Sequence, residues 1–264
     1  MFFSTVGHGA MWLRDGLARG LVRLRINPNH LTVLGCAATV AAGVLIARGL
    51  LRTGGLVLIA AAACDALDGA VARVGRRRTA FGGFLDSSLD RISDLAIFGG
   101  LAVHFAALRP EPNVTATLLS VLALGAAEII SYTRARAECL IDSCKVGFWE
   151  RGERTVVIIM ALVAGREWQA LWVLATLPWL TVLRRILHSR WVMRDMPVEG
   201  DAPAPRRGRI PPWATRIGEF LARVLTWRYS RMSPQYDVVS LAVLLAVLFV
   251  PLKVSDPLRA LLLR

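Results

Sequence analysis

Four aspartates at fixed offsets carry the clearest chemistry in the sequence: Asp65, Asp68, Asp86 and Asp90. On a helix the first two would lie three residues apart and the last two four residues apart, so each pair would share one face. Two such faces turned toward each other would form a box of four carboxylates. Four like charges cannot stay ionised and close together without a counter-charge, and oxygen ligands suit a hard cation such as Mg²⁺ or Mn²⁺. The spacing therefore predicts a site for one or two divalent cations.

These aspartates lie between long apolar runs, unlike acidic residues on the surface of a soluble helical protein. Hydrophobic residues make up 55% of the 264 residues, yet 19% of the residues are charged and the net charge is +13. Apolar and basic segments must therefore alternate, as in a protein that crosses the membrane several times. Acidic residues at that depth are costly and usually functional. Nucleic-acid binding, the other interpretation of a basic chain, is disfavoured because the arginines stand at the ends of the apolar runs.

The stretch from residue 65 to residue 90 resembles the signature of the CDP-alcohol phosphotransferases, D-x2-D-G-x2-A-R-x8-G-x3-D-x3-D. Every fixed position of the signature is filled, by Asp65, Asp68, Gly69, Ala72, Arg73, Gly82, Asp86 and Asp90. The resemblance implies an enzyme in which an alcohol attacks the lipid-side phosphorus of a CDP-linked lipid and CMP leaves. Two cations held by the aspartates could then clamp the attacking and leaving oxygens. The resemblance assigns the role of general base to Asp90.

Residues on both sides of the aspartates are predicted to bind the donor, CDP-diacylglycerol. Gly69 lacks a side chain, so a nucleotide could approach its helix closely, and Arg73, one turn further on, could pair with a phosphate. The string Pro-Asn-x-Leu-Thr at residues 28–32 resembles the segment that lines the cytidine pocket in this family, although it could also simply cap a helix. The donor residues that the resemblance adds are Asn29, His30, Leu31, Thr32 and Thr79.

A second set of charged residues follows the aspartates: Arg134, Arg151, Arg154 and Arg185. They stand at the ends of apolar runs, so their guanidinium groups could converge on a phosphate at the mouth of a cavity. The segments that carry the first three resemble S-Y-x-K-A-R-A-E and E-R-P-E-R in the phosphatidylinositol phosphate synthase branch, where they help to bind the phosphate of inositol 1-phosphate. This sequence departs from that branch at Arg134, which replaces Lys, and at Gly152, which replaces Pro. The same arginines could instead serve only to orient the protein in the membrane.

Six apolar spans are predicted to position these residues. They cover residues 31–50, 55–72, 84–107, 114–133, 154–164 and 167–187. The fifth span is short for a bilayer crossing, which takes about 20 residues, and residues 146–153 could extend its helix. Residues 8–25 form a basic amphipathic stretch that is predicted to lie on the membrane surface. The expected fold class is all-α: a polytopic membrane helix bundle of six core transmembrane helices with an N-terminal interfacial helix.

The C-terminal part of the chain is predicted to be a separate unit. Residues 1–194 would form the CDP-alcohol phosphotransferase membrane domain, whereas residues 195–264 would add a basic linker, an amphipathic helix and a candidate extra transmembrane helix. The amphipathic helix falls within residues 206–231. The candidate seventh span, from Val238 to Leu252, is near the lower length limit for a bilayer crossing.

The distribution of basic residues orients this arrangement. With the N-terminus inside, the inner segments hold 24 of the 32 lysines and arginines and the outer segments hold seven, with Arg91 inside the third span. The positive-inside rule thus places both ends of the aspartate signature near the cytoplasmic face. We therefore expect a multi-pass protein of the plasma (inner) membrane of a prokaryote, with its active site facing the cytoplasm.

The function predicted from the sequence is transfer of a phosphatidyl group from CDP-diacylglycerol to a phosphorylated polyol, with inositol 1-phosphate as the preferred acceptor. Glycerol 3-phosphate or another alcohol is the alternative acceptor. A divalent-cation transporter that uses the aspartates as a transit site is the alternative from another class, and a non-catalytic scaffold is disfavoured by four intact acids. The expected partners are the donor, the acceptor and membrane lipid, without nucleic acid. A homodimer is expected from the family resemblance alone.

Overall fold

The computed structural model describes residues 2–144, 146–195 and 234–250, and the regular structure of these residues is helical throughout. Eight α-helices follow one another along the chain: α1 Phe2–Arg23, α2 Pro28–Ala47, α3 Leu51–Val74, α4 Ala80–Ala106, α5 Val114–Glu138, α6 Arg151–Ala164, α7 Glu167–Val192 and α8 Pro234–Phe249. A short 3-10 helix, Met193–Asp195, continues from α7. The predicted all-α class is confirmed.

Short polar side chains begin the helices that carry the site. Asn27 precedes α2, and its side chain accepts a hydrogen bond from the Asn29 N–H at 3.0 Å. Thr79 precedes α4, and its hydroxyl accepts one from the Gly82 N–H at 2.9 Å. Such caps satisfy backbone donors that the helix itself leaves without a partner. Two stretches that the sequence analysis assigned to the donor therefore also fix where α2 and α4 begin.

Helix α2 packs against both α3 and α4, and thereby holds the two halves of the aspartate signature side by side. The contact of α2 with α4 is close, because a methyl group at Gly43 would overlap the Ala96 carbonyl and one at Gly100 would overlap the Gly43 carbonyl. On the other side α5 packs against α4 and α7, while α6 packs against α3. Fully buried apolar side chains fill the space between these helices, among them Leu58, Leu101, Ile158, Leu162 and Leu171.

Four of the described helices are long and apolar enough to cross a membrane, namely α2, α3, α5 and α7. Helix α4 has 27 residues but carries four charged side chains among its first 15 residues, which lowers its hydropathy. Helix α6 has only 14 residues, about 21 Å at 1.5 Å per residue. The chain is thus a multi-pass membrane protein, whereas the count of six core spans stays a prediction.

Part of the predicted C-terminal unit lies outside the described residues. The linker beyond Asp195 and the amphipathic stretch at 206–231 belong to this part. Helix α8 covers much of the candidate seventh span and packs against α6 and α7. It has 16 residues, fewer than the about 20 that a perpendicular crossing takes.

Candidate active site

Three of the four predicted metal ligands meet between α3 and α4. Asp65, Asp68 and Asp86 each offer a carboxylate oxygen, and these oxygens all lie within 4.8 Å of one another. Asp68 is only 7% exposed, and its Oδ2 is buried without a hydrogen-bond partner among the described residues. A buried carboxylate oxygen without a partner is destabilising, and a cation would remove that penalty. Three carboxylates with a spare oxygen fit a hard divalent ion such as Mg²⁺ or Mn²⁺.

The fourth predicted ligand, Asp90, is held by an arginine. Arg151 Nη1 lies 2.8 Å from Asp90 Oδ1 and 3.0 Å from Asp65 Oδ1. The guanidinium group of α6 therefore bridges an acid of α3 and an acid of α4. Charge-assisted contacts of this length fix the orientation of a carboxylate. The predicted box of four carboxylates is thus a triad of aspartates, with Asp90 beside the triad and bound by the guanidinium group of Arg151.

A fifth aspartate, Asp94, extends the same face of α4 and was not singled out by the sequence analysis. Its Oδ2 accepts a hydrogen bond from Arg154 Nη2 at 2.9 Å, and the two side chains are only 6% and 3% exposed. Arg154 also donates from Nη1 to the Trp149 carbonyl at 3.3 Å. The signal that could have found Asp94 is its spacing, because it lies four residues beyond Asp90 and so repeats the interval between Asp86 and Asp90.

The first turns of α2 lie against the aspartates and against the start of α4. The Thr32 hydroxyl is within hydrogen-bonding reach of the Asp68 carboxyl and also donates to the Pro28 carbonyl at 3.1 Å. Asn29 Oδ1 would be 3.3 Å from a Cβ atom at Gly82. The structure thus brings the Pro-Asn-x-Leu-Thr string and the aspartate signature together, as a shared donor site requires.

Two other members of that string point in different directions. His30 is exposed. Leu31 is 8% exposed and belongs to a small apolar cluster with Ala18, Ala70 and Val71, which ties α1 to α2 and α3. The side chain of Leu31 therefore packs the helices together, and its predicted role in donor binding stays a prediction.

Open space lies in front of Gly69. A Cβ atom there would meet only Arg73 Nη1, at an ordinary contact distance of 3.5 Å. Arg73 is exposed, so its guanidinium group stands beside this opening without being buried. This open strip of helix backbone next to an arginine suits a nucleoside diphosphate, because the base or ribose can lie close to the backbone while a phosphate pairs with the guanidinium group.

The predicted acceptor arginines separate into two pairs. Arg151 and Arg154 bind aspartates, as described above, whereas Arg134 and Arg185 approach Glu150. The Oε1 atom of Glu150 lies 3.7 Å from Arg134 Nη1 and 3.9 Å from Arg185 Nη2. Arg134 also donates to Glu138 at 3.0 Å. The four arginines thus form two neighbouring groups at the start of α6, and their convergence on an acceptor phosphate stays a prediction.

Burial separates these arginines further. Arg185 is 1% exposed and donates to the carbonyl groups of Val146 and Ile130. By contrast, the side chains of Arg134 and Arg151 are 33% and 25% exposed. Only the latter two present a guanidinium group that a ligand from solution could reach in this conformation, and the role of all four toward an acceptor stays a prediction.

Comparison with known proteins agrees with the site. Residues 25–183 match the profile of the family described as CDP-alcohol phosphatidyltransferase. The chain belongs to this family. The resemblance read from the aspartate signature is thereby confirmed, and the chain is identified as a CDP-alcohol phosphatidyltransferase rather than a transporter or a scaffold.

Several relatives of this phosphatidyltransferase have named activities. It is 40% identical to an archaetidylinositol phosphate synthase of Methanothermobacter thermautotrophicus over 172 aligned residues. The alignment covers 63% of this chain and 84% of the relative. It is 36% identical to the phosphatidylinositol phosphate synthase of Mycobacterium tuberculosis over 186 aligned residues. This alignment covers 66% of this chain and 84% of the relative. Both names include an inositol phosphate, whereas the lipid part differs.

Solved structures of the mycobacterial synthase share the fold. The structure with CDP-DAG bound is 32% identical and has a TM-score of 0.61 over 73% of this chain and 98% of that chain. The structure of the same synthase in complex with manganese and citrate has a TM-score of 0.60, covers 74% of this chain and 96% of that chain, and is 31% identical. A divalent metal bound by such a neighbour agrees with the aspartate triad of this phosphatidyltransferase.

Proposed function

We propose that this phosphatidyltransferase transfers the lipid-bearing phosphoryl group of CDP-diacylglycerol to inositol 1-phosphate and releases CMP. The observation that carries the proposal is the aspartate triad with Asp90 and Arg151 beside it. It occurs in a chain 36% to 40% identical to named inositol phosphate synthases. Glycerol 3-phosphate is a weaker candidate, because the relatives named above share inositol phosphate in their names.

The donor is proposed to lie across the start of α2 and the open strip at Gly69. Arg73 would pair with a donor phosphate, while Asn29, Thr32 and Thr79 would contribute polar contacts near the nucleotide. Asp65, Asp68 and Asp86 would hold the cations, for which we propose two ions. When bound, Mg²⁺ or Mn²⁺ supplies the positive charge that neutralises the donor pyrophosphate during displacement.

The acceptor hydroxyl is proposed to bind at Asp90. Its oxygen forms a new bond to the lipid-side phosphorus, the bond from that phosphorus to the bridging pyrophosphate oxygen breaks, and CMP departs with the electron pair. The hydroxyl proton passes to the Asp90 carboxylate. Asp90 serves mainly to orient the hydroxyl and to take its proton late in the displacement.

The acceptor phosphate is proposed to bind between Arg134 and Arg151. These are the two more exposed arginines, and Arg151 reaches the hydroxyl-binding Asp90 directly. Arg154 and Arg185 would support the site from behind, because their side chains are 3% and 1% exposed. This assignment narrows the sequence-based set of four arginines to two direct contacts.

The cellular arrangement follows from charge and family. The aspartates of α3 and α4 lie at the ends joined by residues 75–79, next to the basic run at 76–78. The positive-inside rule favours the cytoplasm for this end, where a soluble acceptor and a CMP product would be accessible. We propose a prokaryotic plasma-membrane location and, from the family resemblance, a homodimer.

The proposal is tested with the purified protein, labelled CDP-diacylglycerol or CDP-archaeol, Mn²⁺ and a panel of acceptors. We expect CMP release that depends on inositol 1-phosphate and on the metal, together with a lipid product that carries both the inositol and its phosphate. CMP release with glycerol 3-phosphate alone would shift the assignment to that acceptor. Uptake of Mn²⁺ into proteoliposomes without CMP release would contradict the proposal and favour transport.

A further inference from the structure

Two ion pairs join α4 to α6 like successive rungs. The first joins Asp90 to Arg151 at 2.8 Å, and the second joins Asp94 to Arg154 at 2.9 Å. The aspartates are four residues apart on α4 and the arginines are three apart on α6, so each set shares one helix face. The first rung includes the carboxylate proposed to receive the acceptor proton. The second rung lies one helical turn further along both helices.

The second rung is closed to ligands. The side chains of Asp94 and Arg154 are only 6% and 3% exposed, so neither offers a free surface to a substrate. A buried ion pair gains little net stability, because the loss of hydration offsets the attraction. Apolar side chains of similar size would pack the same space at no such cost. The advantage of the ion pair is that its geometry is specific, because Asp94 and Arg154 meet at only one rotation and one register of α6 against α4.

The first turn of α6 is fixed by side-chain contacts rather than by a helix cap. Glu150 precedes the helix without a side-chain cap, and a Cβ atom at Gly152 would have no neighbour within 4 Å. Arg154 links this turn to two neighbours, because it donates hydrogen bonds to Asp94 on α4 and to the Trp149 carbonyl just before α6, the latter at 3.3 Å. Arg151 starts the same turn, so the position of its guanidinium group depends on the position of Arg154.

We propose that Asp94 is a positioning residue that acts through Arg154. The pair fixes the first turn of α6 and thereby keeps Arg151 between Asp65 and Asp90. Arg154 accordingly serves the acceptor site indirectly, by placing Arg151. This inference rests on the proposed function only for the role of Asp90, because the placement of Arg151 next to a cation site can be measured without turnover.

The test uses two variants. The first, called the rung variant, combines Asp94→Asn with Arg154→Gln and so removes the second ion pair without changing the net charge. The second variant is the single change Arg151→Gln. The Mn²⁺ dissociation constant is measured by electron paramagnetic resonance for each variant and for their combination. Loss of Arg151 removes a positive charge beside Asp65, so Mn²⁺ should bind about three- to tenfold more tightly. The rung variant should shift the constant in the same direction, because it releases Arg151, and should have no further effect once Arg151 is already Gln.

The rate of CMP release supplies the second measurement. It should fall in the rung variant and in Arg151→Gln, and the combined variant should be no slower than Arg151→Gln alone. The partly exposed pair Arg14–Asp15, 2.8 Å long on α1, gives the matched control: Arg14→Gln with Asp15→Asn should leave both quantities unchanged. If the rung variant does not insert into the membrane, Arg154→Lys replaces it, since Lys keeps the charge but cannot reach both Asp94 and the Trp149 carbonyl.

Three results would overturn the inference. Unchanged or weaker Mn²⁺ binding in the rung variant would show that Arg151 is held without Asp94. A combined variant that releases CMP more slowly than Arg151→Gln alone would show that the Asp94–Arg154 pair acts separately from Arg151. An increase in the acceptor KM that persists in the Arg151→Gln background would make Arg154 a direct acceptor contact. A protein that releases no CMP under any condition would refute the proposed function, while the Mn²⁺ measurements would still decide the role of Asp94.

Discussion

Asp68 is the residue on which the cation site depends most closely. It is the buried member of the aspartate triad, and one of its oxygens has no partner among the described residues. Asp68→Asn preserves the size of the side chain but removes the charge that balances a divalent ion. We expect Mn²⁺ affinity to fall by more than the about 10- to 100-fold that changes in outer-shell partners cost, and CMP release to be abolished.

Asp15, which is partly exposed, provides the control for this substitution. Asp15→Asn makes the same chemical change on α1, away from the triad, and should alter neither Mn²⁺ affinity nor turnover. Titration of Mn²⁺ by electron paramagnetic resonance measures the first quantity. Normal Mn²⁺ binding in a well-inserted Asp68→Asn variant would show that the triad does not hold the ion.

Gly69 separates the requirements of the fold from those of the donor. A methyl group at this position makes only an ordinary contact of 3.5 Å with Arg73, so Gly69→Ala should leave the unfolding temperature unchanged or slightly raised. The same methyl group would stand in the open strip assigned to the nucleotide. We expect the KM for CDP-diacylglycerol to rise by about tenfold or more, which is about 1.4 kcal/mol, with Mn²⁺ affinity retained.

The Gly69→Ala result is interpreted against Gly99→Ala, another helical glycine whose Cβ position has nothing within 4 Å. That control should leave the donor KM at its parent value. A donor KM that is equally unchanged in Gly69→Ala would place the nucleotide elsewhere on the bundle.

At the residue scale the sequence identified the chemistry but not its partners. The aspartate spacing predicted a carboxylate cluster, and three of the four carboxylates do meet. The arginines of the E-R-G-E-R segment were predicted to face an acceptor phosphate, yet Arg151 and Arg154 each bind an aspartate of α4. Arginine side chains are long, and their partners are set by how α6 is rotated against α4. A linear sequence gives no information on that rotation.

At the scale of elements, α2 and α4 cross in close contact, and the same two helices carry Thr32 and Asp86 of the site. Gly100→Ala would drive a methyl group into the Gly43 backbone. We expect this change to destabilise the protein by about 1–3 kcal/mol, the usual cost of overpacking. The measurement is thermal unfolding in detergent, followed by Mn²⁺ titration of the folded fraction.

Gly99→Ala, one residue earlier on α4, again gives the matched control, because both substitutions gain helix propensity and only Gly100 faces α2. Gly99→Ala should be neutral or stabilising by up to about 1 kcal/mol. Equal stability of the two variants would mean that α2 and α4 do not approach as closely as described.

The helices themselves were largely predictable. The apolar runs at 114–133 and 167–187 correspond to α5 and α7, which extend further at their C-terminal ends. Helix α4 begins at Ala80, four residues before the predicted span at 84–107, because the Thr79 cap rather than hydropathy sets its start. Hydropathy reports where a helix is apolar, whereas caps and packing decide where it begins and ends. This difference explains why the boundaries were the less accurate part of the prediction.

At the scale of the whole molecule, the site is assembled at one end of the bundle by connectivity. Five residues, 75–79, join the end of α3 to the start of α4, so the aspartates near that junction must lie at the same end. The start of α6 reaches that end as well, since Arg151 contacts both Asp65 and Asp90. Carboxylates that attract cations and arginines that attract phosphates are therefore adjacent, as transfer between two phosphorylated substrates requires.

The most direct test of this account compares inositol 1-phosphate with free inositol as acceptors in the parent protein and in Arg134→Ala. The parent should strongly prefer the phosphorylated acceptor in kcat/KM. In Arg134→Ala, kcat/KM for inositol 1-phosphate should fall by about 30- to 150-fold, equivalent to about 2–3 kcal/mol for one charge-assisted contact, with the value for inositol unchanged. Arg136→Ala, an exposed arginine on the same helix, should match the parent. A parent protein that prefers unphosphorylated inositol would contradict the proposed acceptor and, with it, the assignment of the arginines.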